Sequence, residues 1–140
     1  MSMKVFPQMS KSIGNVVDPQ QLMDLVTEDG LRYYLLREGG PNSDNNFSLA
    51  ALTQLLNLEL ADTLGNLLAR CTSARVNPSQ VRAPPSHCSC PGAAALLDQL
   101  AGLPDRVGEQ YSQFQFQHGL VEVMAALRAT NQLVQVLNSS

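Results

Sequence analysis

The sequence predicts a mainly α-helical fold. Three observations carry that expectation. Leucines recur at spacings of three and four between residues 49 and 68, the period of a helix face. Helix-start signals stand at Asp18-Pro19, Thr27 and Ser48, each followed by apolar residues at helical spacing. A strand is suggested only around Met3–Phe6, and no internal repeat is visible.

Asp18-Pro19-Gln20-Gln21 opens the first helix. Asp18 can cap exposed amides, Pro19 suits the first helical position, and Gln21 sits where a capping box places its amide. Leu22, Leu25 and Val26 form its apolar face. Thr27 starts a second helix, with Glu28 and Asp29 at the positive end of its dipole. Leu31, Tyr34, Leu35 and Leu36 make its stripe, and Gly39-Gly40 stops it. Arg32-Tyr33-Tyr34 spreads one cation and two phenols over most of a turn. Only part of that set can be core, and packing is its expected role.

Residues 39–47 are a loop rich in Gly, Pro, Asn and Asp. Ser48 then caps a long helix running to about Cys71. Leu52, Leu56, Leu60, Leu64, Leu67 and Leu68 form its stripe, with Leu49 and Leu55 beside them. Asn57, Glu59, Asp62 and Asn66 are its polar positions, with Arg70 near the end. Gly65 costs up to about 1 kcal/mol relative to Ala inside a helix. It fits a close backbone contact or a neutral surface position.

Residues 76–92, VNPSQVRAPPSHCSCPG, form an irregular linker. A short helix is expected from Ala93 to Leu100, broken by Gly102-Leu103-Pro104. Asp105 is expected to cap another helix from about Arg106. Val107, Tyr111, Phe114, Leu120, Met124, Leu127 and Val134 then suggest one long helix, or two joined near His118-Gly119. The second half reads as part of an antiparallel helix bundle, with apolar residues on its last helix left uncovered.

Nine Lys plus Arg face twelve Asp plus Glu, a formal net charge of −3. Residues 1–75 hold six basic and eight acidic side chains; residues 76–140 hold three and four. Neither half is basic, which weighs against a small autonomous binder held mainly by phosphate contacts. A part of a larger RNA-handling enzyme is compatible with that balance. An apolar fraction of 44% suffices for a core, and no apolar run is long enough to span a bilayer. The opening residues lack a secretory or transit signal. Three cysteines make no disulfide framework, so a reducing compartment is expected. His87, Cys88 and Cys90 are the only metal-like cluster. They lack a second ligand pair and read as a surface loop, so no metal site is assigned. His118 reads as structural or exposed.

The informative run is Gln8-Met9-Ser10-Lys11-Ser12-Ile13-Gly14-Asn15, followed closely by the Asp18 cap. Lys11 is a compact charge able to reach a polyphosphate. Ser10 and Ser12 offer hydroxyl and backbone donors, and Gly14 permits a tight path. This suits a flexible lid over phosphates, and a solvated lysine loop has nearly the same composition. The run resembles the Lys-Met-Ser-Lys-Ser signature of class I aminoacyl-tRNA synthetases. The wider text, MSKSIGNVVDP, then LRYYLLREG, then NLELADTLGNLLARC, is similar to the methionyl-tRNA synthetase family. Asn77-Pro78-Ser79 leans toward its mitochondrial form. The resemblance is dense over residues 9–79 and weaker to 140.

The resemblance implies that residues 1–47 are the C-terminal end of a catalytic region with its signature loop. Residues 48–140 would then be a partial anticodon-binding helical bundle, with the irregular linker at about 76–92. The implied activity is ATP-dependent methionine–tRNA ligation, with ATP and Mg2+ as cofactors and L-methionine and methionine tRNA as partners. Lys11 matches the second signature lysine, so a catalytic role on the triphosphate is implied for it. Ser10 and Ser12 match the signature serines as phosphate-binding positions. The first signature lysine is replaced by Gln8, which can donate a hydrogen bond but not a full charge. Loss of that charge implies roughly 10–100-fold slower activation, from the typical value of charged hydrogen bonds. A splice or gene-model boundary near residues 1–8 is the other reading of that difference. Asn57 and Glu59 are the family-like candidates for anticodon contact; the other reading is a wet face opposite the leucines. The family's Rossmann core, adenine-site motif and methionine pocket have no counterpart here. The chain is expected to be cut at both ends and inactive alone. A mitochondrial matrix location is implied, with the cytoplasm as the alternative, no membrane association, and a monomer. A noncatalytic tRNA-binding or helical interaction module is the competing function.

Overall fold

The computed structural model describes residues 18–40, 47–75, 78–79 and 92–139. The run around Met3–Phe6 and the His87, Cys88 and Cys90 group lie outside the described residues. Every regular element among the described residues is helical.

Local chemistry sets the helix starts. Asp18 accepts from the Gln20 amide at 2.9 Å and opens α1 (Pro19–Leu25), with Pro19 at its first position. Thr27 accepts from the Gly30 amide at 3.1 Å and opens α2 (Glu28–Glu38). Gly39 ends α2 by donating to the Leu35 carbonyl at 2.8 Å. A Cβ at Gly39 would stand 2.3 Å from that oxygen, so this close requires glycine. Ser48 accepts from the Ala51 amide at 3.4 Å and opens α3 (Leu49–Leu55).

The long helix is not uniformly α-helical. It passes from α3 into wider, π-helical turns over Leu56–Gly65 and then into α4 (Asn66–Thr72). The Asn66 amide donates to Ala61, five residues back, and the Thr63 hydroxyl donates to Leu58 at 2.8 Å. A Cβ at Gly65 would lie 3.2 Å from the Leu60 carbonyl, which supports the close-contact reading of that glycine.

The expected leucine stripe needs correction. Leu52 is fully buried, but Leu64 and Leu68 are exposed, at 44% and 62%. The buried positions in the middle of the helix are Glu59 and Thr63. The leucines cover more than one face, and polar partners on neighbouring helices decide which face turns inward.

The C-terminal elements are α5 (Ala93–Ala101), α6 (Leu103–Ser112) and α7 (Phe116–Ser139). Helix α6 begins about three residues before the expected start. Pro104 belongs to its first turn, where a missing amide hydrogen costs nothing, and Asp105 lies inside that turn rather than capping it. The joint to α7 falls at Gln113–Gln115, not at His118-Gly119. Phe114 has φ of 58°, the Gln115 amide donates to Gln110 at 2.8 Å, and the Phe114 amide donates to Tyr111 at 3.0 Å. This is a Schellman close with phenylalanine where glycine is usual. Gly119 is instead a buried contact beneath the ring of Tyr111.

The core gathers Leu22, Leu31, Tyr34 and Leu52, with Phe47 edge-on to Tyr34 at 5.6 Å. These residues come from both sides of position 47, so one core spans the expected domain boundary. Helix α7 packs on α2, α5, α6 and the π-helical turns, burying Met124 and Ala126. Val121, Val136 and Leu137 remain exposed on it, in keeping with an uncovered last helix.

Candidate nucleic-acid interface

Three residues along one face of α2 meet the long helix, one through its backbone at Leu56 and two through side chains at Glu59. At Gly30 the backbone comes close enough that an added Cβ would sit 3.1 Å from Leu56. One turn on, the Tyr33 hydroxyl donates to Glu59 Oε2 at 2.5 Å. A further turn on, Arg37 donates to the same carboxylate from Nε at 3.1 Å and from Nη2 at 3.2 Å. Arg128 of α7 adds its guanidinium 3.8 Å from Oε1. A buried carboxylate costs several kcal/mol unless it is paired. Here a forked Arg37, a phenol and a second cation supply the pairing.

Glu59 is 3% exposed and its carboxylate is engaged from inside the fold. The expectation that it contacts an anticodon base is therefore corrected: a base cannot reach a carboxylate that faces α2 and α7. Asn57, two residues earlier, is exposed and lines a shallow depression with Thr53, Gln54, Leu58 and Asp62. The structure thus separates the two candidates onto opposite sides of one helix. Asp62 and Asn66 are also exposed, and Arg70 is half-buried.

Burial pushes the Tyr33 phenol well above its ordinary range, and the hydrogen bond to Glu59 and that residue's charge push it further. Arg37 and Arg128 offset part of this. Burial also raises Tyr34, against the Ser48 backbone. Tyr34 packs in the core, and Tyr33 is half-buried with its hydroxyl on Glu59. Arg32 stays outside, paired with Glu28 at 2.5 Å and Asp29 at 3.8 Å. Such exposed pairs contribute little.

Ser10, Lys11, Ser12 and Gln8 lie outside the described residues. What the structure fixes is the support that follows them, α1 capped by Asp18 and packed through Leu22. Among the described residues no group of three His, Cys, Asp or Glu side chains is arranged to hold a metal ion. Among them, no helix is long and apolar enough to cross a membrane. The sequence reading did not foresee the cluster around Glu59. Tyr33 and Arg37 stand four apart on α2, but nothing local shows that they share a partner.

A family model described as tRNA synthetases class I (M) matches residues 6–72. The chain is 41% identical over 144 residues to a human protein named methionine–tRNA ligase, mitochondrial, covering 91% of this chain and 24% of that protein. The chain is thus similar, over most of its length, to the methionyl group of the class I tRNA synthetases. It is also 42% identical to the mouse mitochondrial protein, with the same coverage. It is 35% identical to a methionine–tRNA ligase of Caldanaerobacter subterraneus over 91% of the chain. A crystal structure of Mycobacterium tuberculosis methionyl-tRNA synthetase bound by methionyl-adenylate matches 92% of the chain, at a TM-score of 0.83 and 33% identity. The mainly α-helical architecture is thus a synthetase architecture. The chain spans about a quarter of the length of the curated relatives it matches.

Proposed function

We propose that this chain is the signature-loop and early anticodon-domain segment of a mitochondrial methionine–tRNA ligase. One observation carries the reading: 91% of the chain aligns with proteins of that name. The chemistry has two steps. The methionine carboxylate attacks the α-phosphorus of ATP, giving methionyl-adenylate and releasing pyrophosphate. The terminal ribose of methionine tRNA then attacks the acyl carbon, and AMP leaves. In the first step Lys11 stabilises charge gathering on the departing pyrophosphate, a contact that strengthens toward the transition state. Ser10 and Ser12 donate to the phosphates. The described residues offer no Mg2+ site, so no step is assigned to that ion. Asn57, exposed on the long helix, is the residue proposed to approach the anticodon. The working enzyme is proposed to be a monomer in the mitochondrial matrix.

The test exchanges segments. These 140 residues replace the matching segment of a full-length mitochondrial relative, and methionine-dependent ATP–pyrophosphate exchange and tRNA methionylation are measured. Both activities are expected in the chimera. A folded chimera without exchange would overturn the reading. The 140 residues alone are expected to show no exchange, because by resemblance the adenine and methionine pockets lie outside the matched quarter. Selective, tight binding of methionine tRNA by the 140 residues alone would favour a binding module instead.

A further inference from the structure

The long helix is gripped from α2 and α7 on successive turns, and the grips differ in kind. At Leu56 the contact is steric, against Gly30. At Glu59 it is ionic and directional, with Arg37 forked onto the carboxylate, Tyr33 on Oε2, and Arg128 reaching from α7. At Thr63 the backbone carbonyl accepts from Asn131 of α7 at 2.8 Å. Glu59 is the point where α2, the long helix and α7 meet on one side chain. Helix α2 shares the core with α1 through Leu22 and Leu31, and α1 follows in sequence the motif that contains Lys11.

A carboxylate is a costly way to join helices, since leucine at 59 would bury more cheaply. What the charged cluster adds is direction. A forked guanidinium and a phenol accept only a narrow range of helix angles, whereas an apolar contact tolerates sliding. We propose that Glu59 is a positioning residue that sets the angle between the pair α1–α2, which follows the Lys11 motif in sequence, and the bundle formed by the long helix and α7. The proposal rests on the ligase reading for its consequence. On that reading, methionine activation needs Lys11 and the pockets outside this segment, and no contact from the bundle. Transfer needs a tRNA held by the bundle to present its 3′ end at the adenylate, so it depends on that angle. Glu59 would therefore act on transfer without touching the tRNA.

Two measurements test this. In the 140-residue chain, with Cys71, Cys88 and Cys90 changed to Ser, spin labels are attached through Asp29→Cys on α2 and Gln132→Cys on α7. Their separation is read by pulsed electron resonance with Glu59 and with Glu59→Gln. The Gln variant is expected to broaden or shift the distance distribution, and Glu59→Asp to restore it in part. Identical distributions would overturn the clamp. In the active chimera, Glu59→Gln is expected to lower kcat/KM for tRNA methionylation roughly tenfold, a coupling of ordinary allosteric size, while exchange stays within about threefold. Equal losses in both activities, no loss in either, or an altered anticodon preference would overturn the proposal. If the unsubstituted chimera is inactive, the ligase reading fails, and the spin-label distances alone decide the clamp.

Discussion

Asn131 donates its side-chain amide to the backbone carbonyl of Thr63 at 2.8 Å, across 68 residues of sequence. The contact joins α7 to the π-helical turns. The same carbonyl also accepts the Asn66 amide, three residues on. Because a carbonyl only accepts, the orientation of the Asn131 amide is set: nitrogen toward Thr63, and Oδ1 buried without a partner.

Asn131→Ala should therefore lose one neutral hydrogen bond and relieve one unpaired acceptor. The expected cost is about 1 kcal/mol. Asn131→Asp should cost more, because a carboxylate oxygen would face the Thr63 carbonyl. Urea unfolding midpoints of the three proteins give the order. An Asp variant as stable as the parent would show that the contact contributes nothing.

Tyr33 supplies a prediction with a sign. Its phenol is raised above the ordinary value of 10.0. The folded state thus holds the proton more tightly than the unfolded state. The resulting stability is complete below pH 10 and is lost as the pH rises from there toward the folded value. Melting temperature should be flat from about pH 7 to 9 and fall above about pH 10. Tyr33→Phe should lower stability at neutral pH by about 1.5–3 kcal/mol, the range for a hydrogen bond to a charged group. It should also make the alkaline fall shallower, with Tyr34 contributing the rest. Absorbance at 295 nm, followed with pH, should show one late-ionising phenol fewer in the variant.

The parts of the fold legible in the sequence are those decided within a few residues. Asp18, Thr27 and Ser48 cap as expected because each bond spans two or three positions. The Glu59 cluster was not legible, because Tyr33 and Arg37 lie 26 and 22 residues away. By pattern alone a Glu between leucines belongs to the wet face. The joint at Phe114 was missed for a different reason. A left-handed residue at a helix end is normally glycine, and Phe114 costs roughly 1–2 kcal/mol in that conformation. The nearby Gly119 therefore drew the expected break to the wrong place. On the candidate site, the chemistry proposed for Lys11 rests on its motif, which lies outside the described residues. The inward turn of Glu59 needed the packed helices.

Gly119 can be tested through its neighbour. A Cβ there would lie 2.3 Å from Tyr111 Cε1 and 2.7 Å from Cδ1. The Tyr111 ring also packs edge-on to Phe116 at 5.2 Å, so it cannot move without losing that contact. Gly119→Ala should destabilise the α6–α7 hairpin by about 1–3 kcal/mol, the usual cost of overpacking. Adding Tyr111→Ala should remove most of that penalty, because the clash then has no partner. The double-mutant cycle measures the coupling. Strict additivity of the two changes would show that the ring does not meet position 119.

Lys11 bears on the chemistry itself, in a complete ligase carrying this segment. Its ammonium is proposed to act on the triphosphate as charge moves to the leaving pyrophosphate, while anticodon contacts come from the helices beyond residue 48. Lys11→Ala should slow adenylate formation roughly 10–100-fold, the value of one charged hydrogen bond at the transition state, and leave tRNA affinity nearly unchanged. Lys11→Arg should rescue only in part, since a longer planar fork carries the charge along a different approach. Gln8→Lys supplies the first signature lysine that this chain lacks and should raise activation. Pre-steady-state formation of methionyl-adenylate isolates this step from tRNA binding and product release. If Lys11→Ala left that rate intact and weakened tRNA binding instead, the cation would belong to the nucleic-acid interface and its assignment to the phosphates would be wrong.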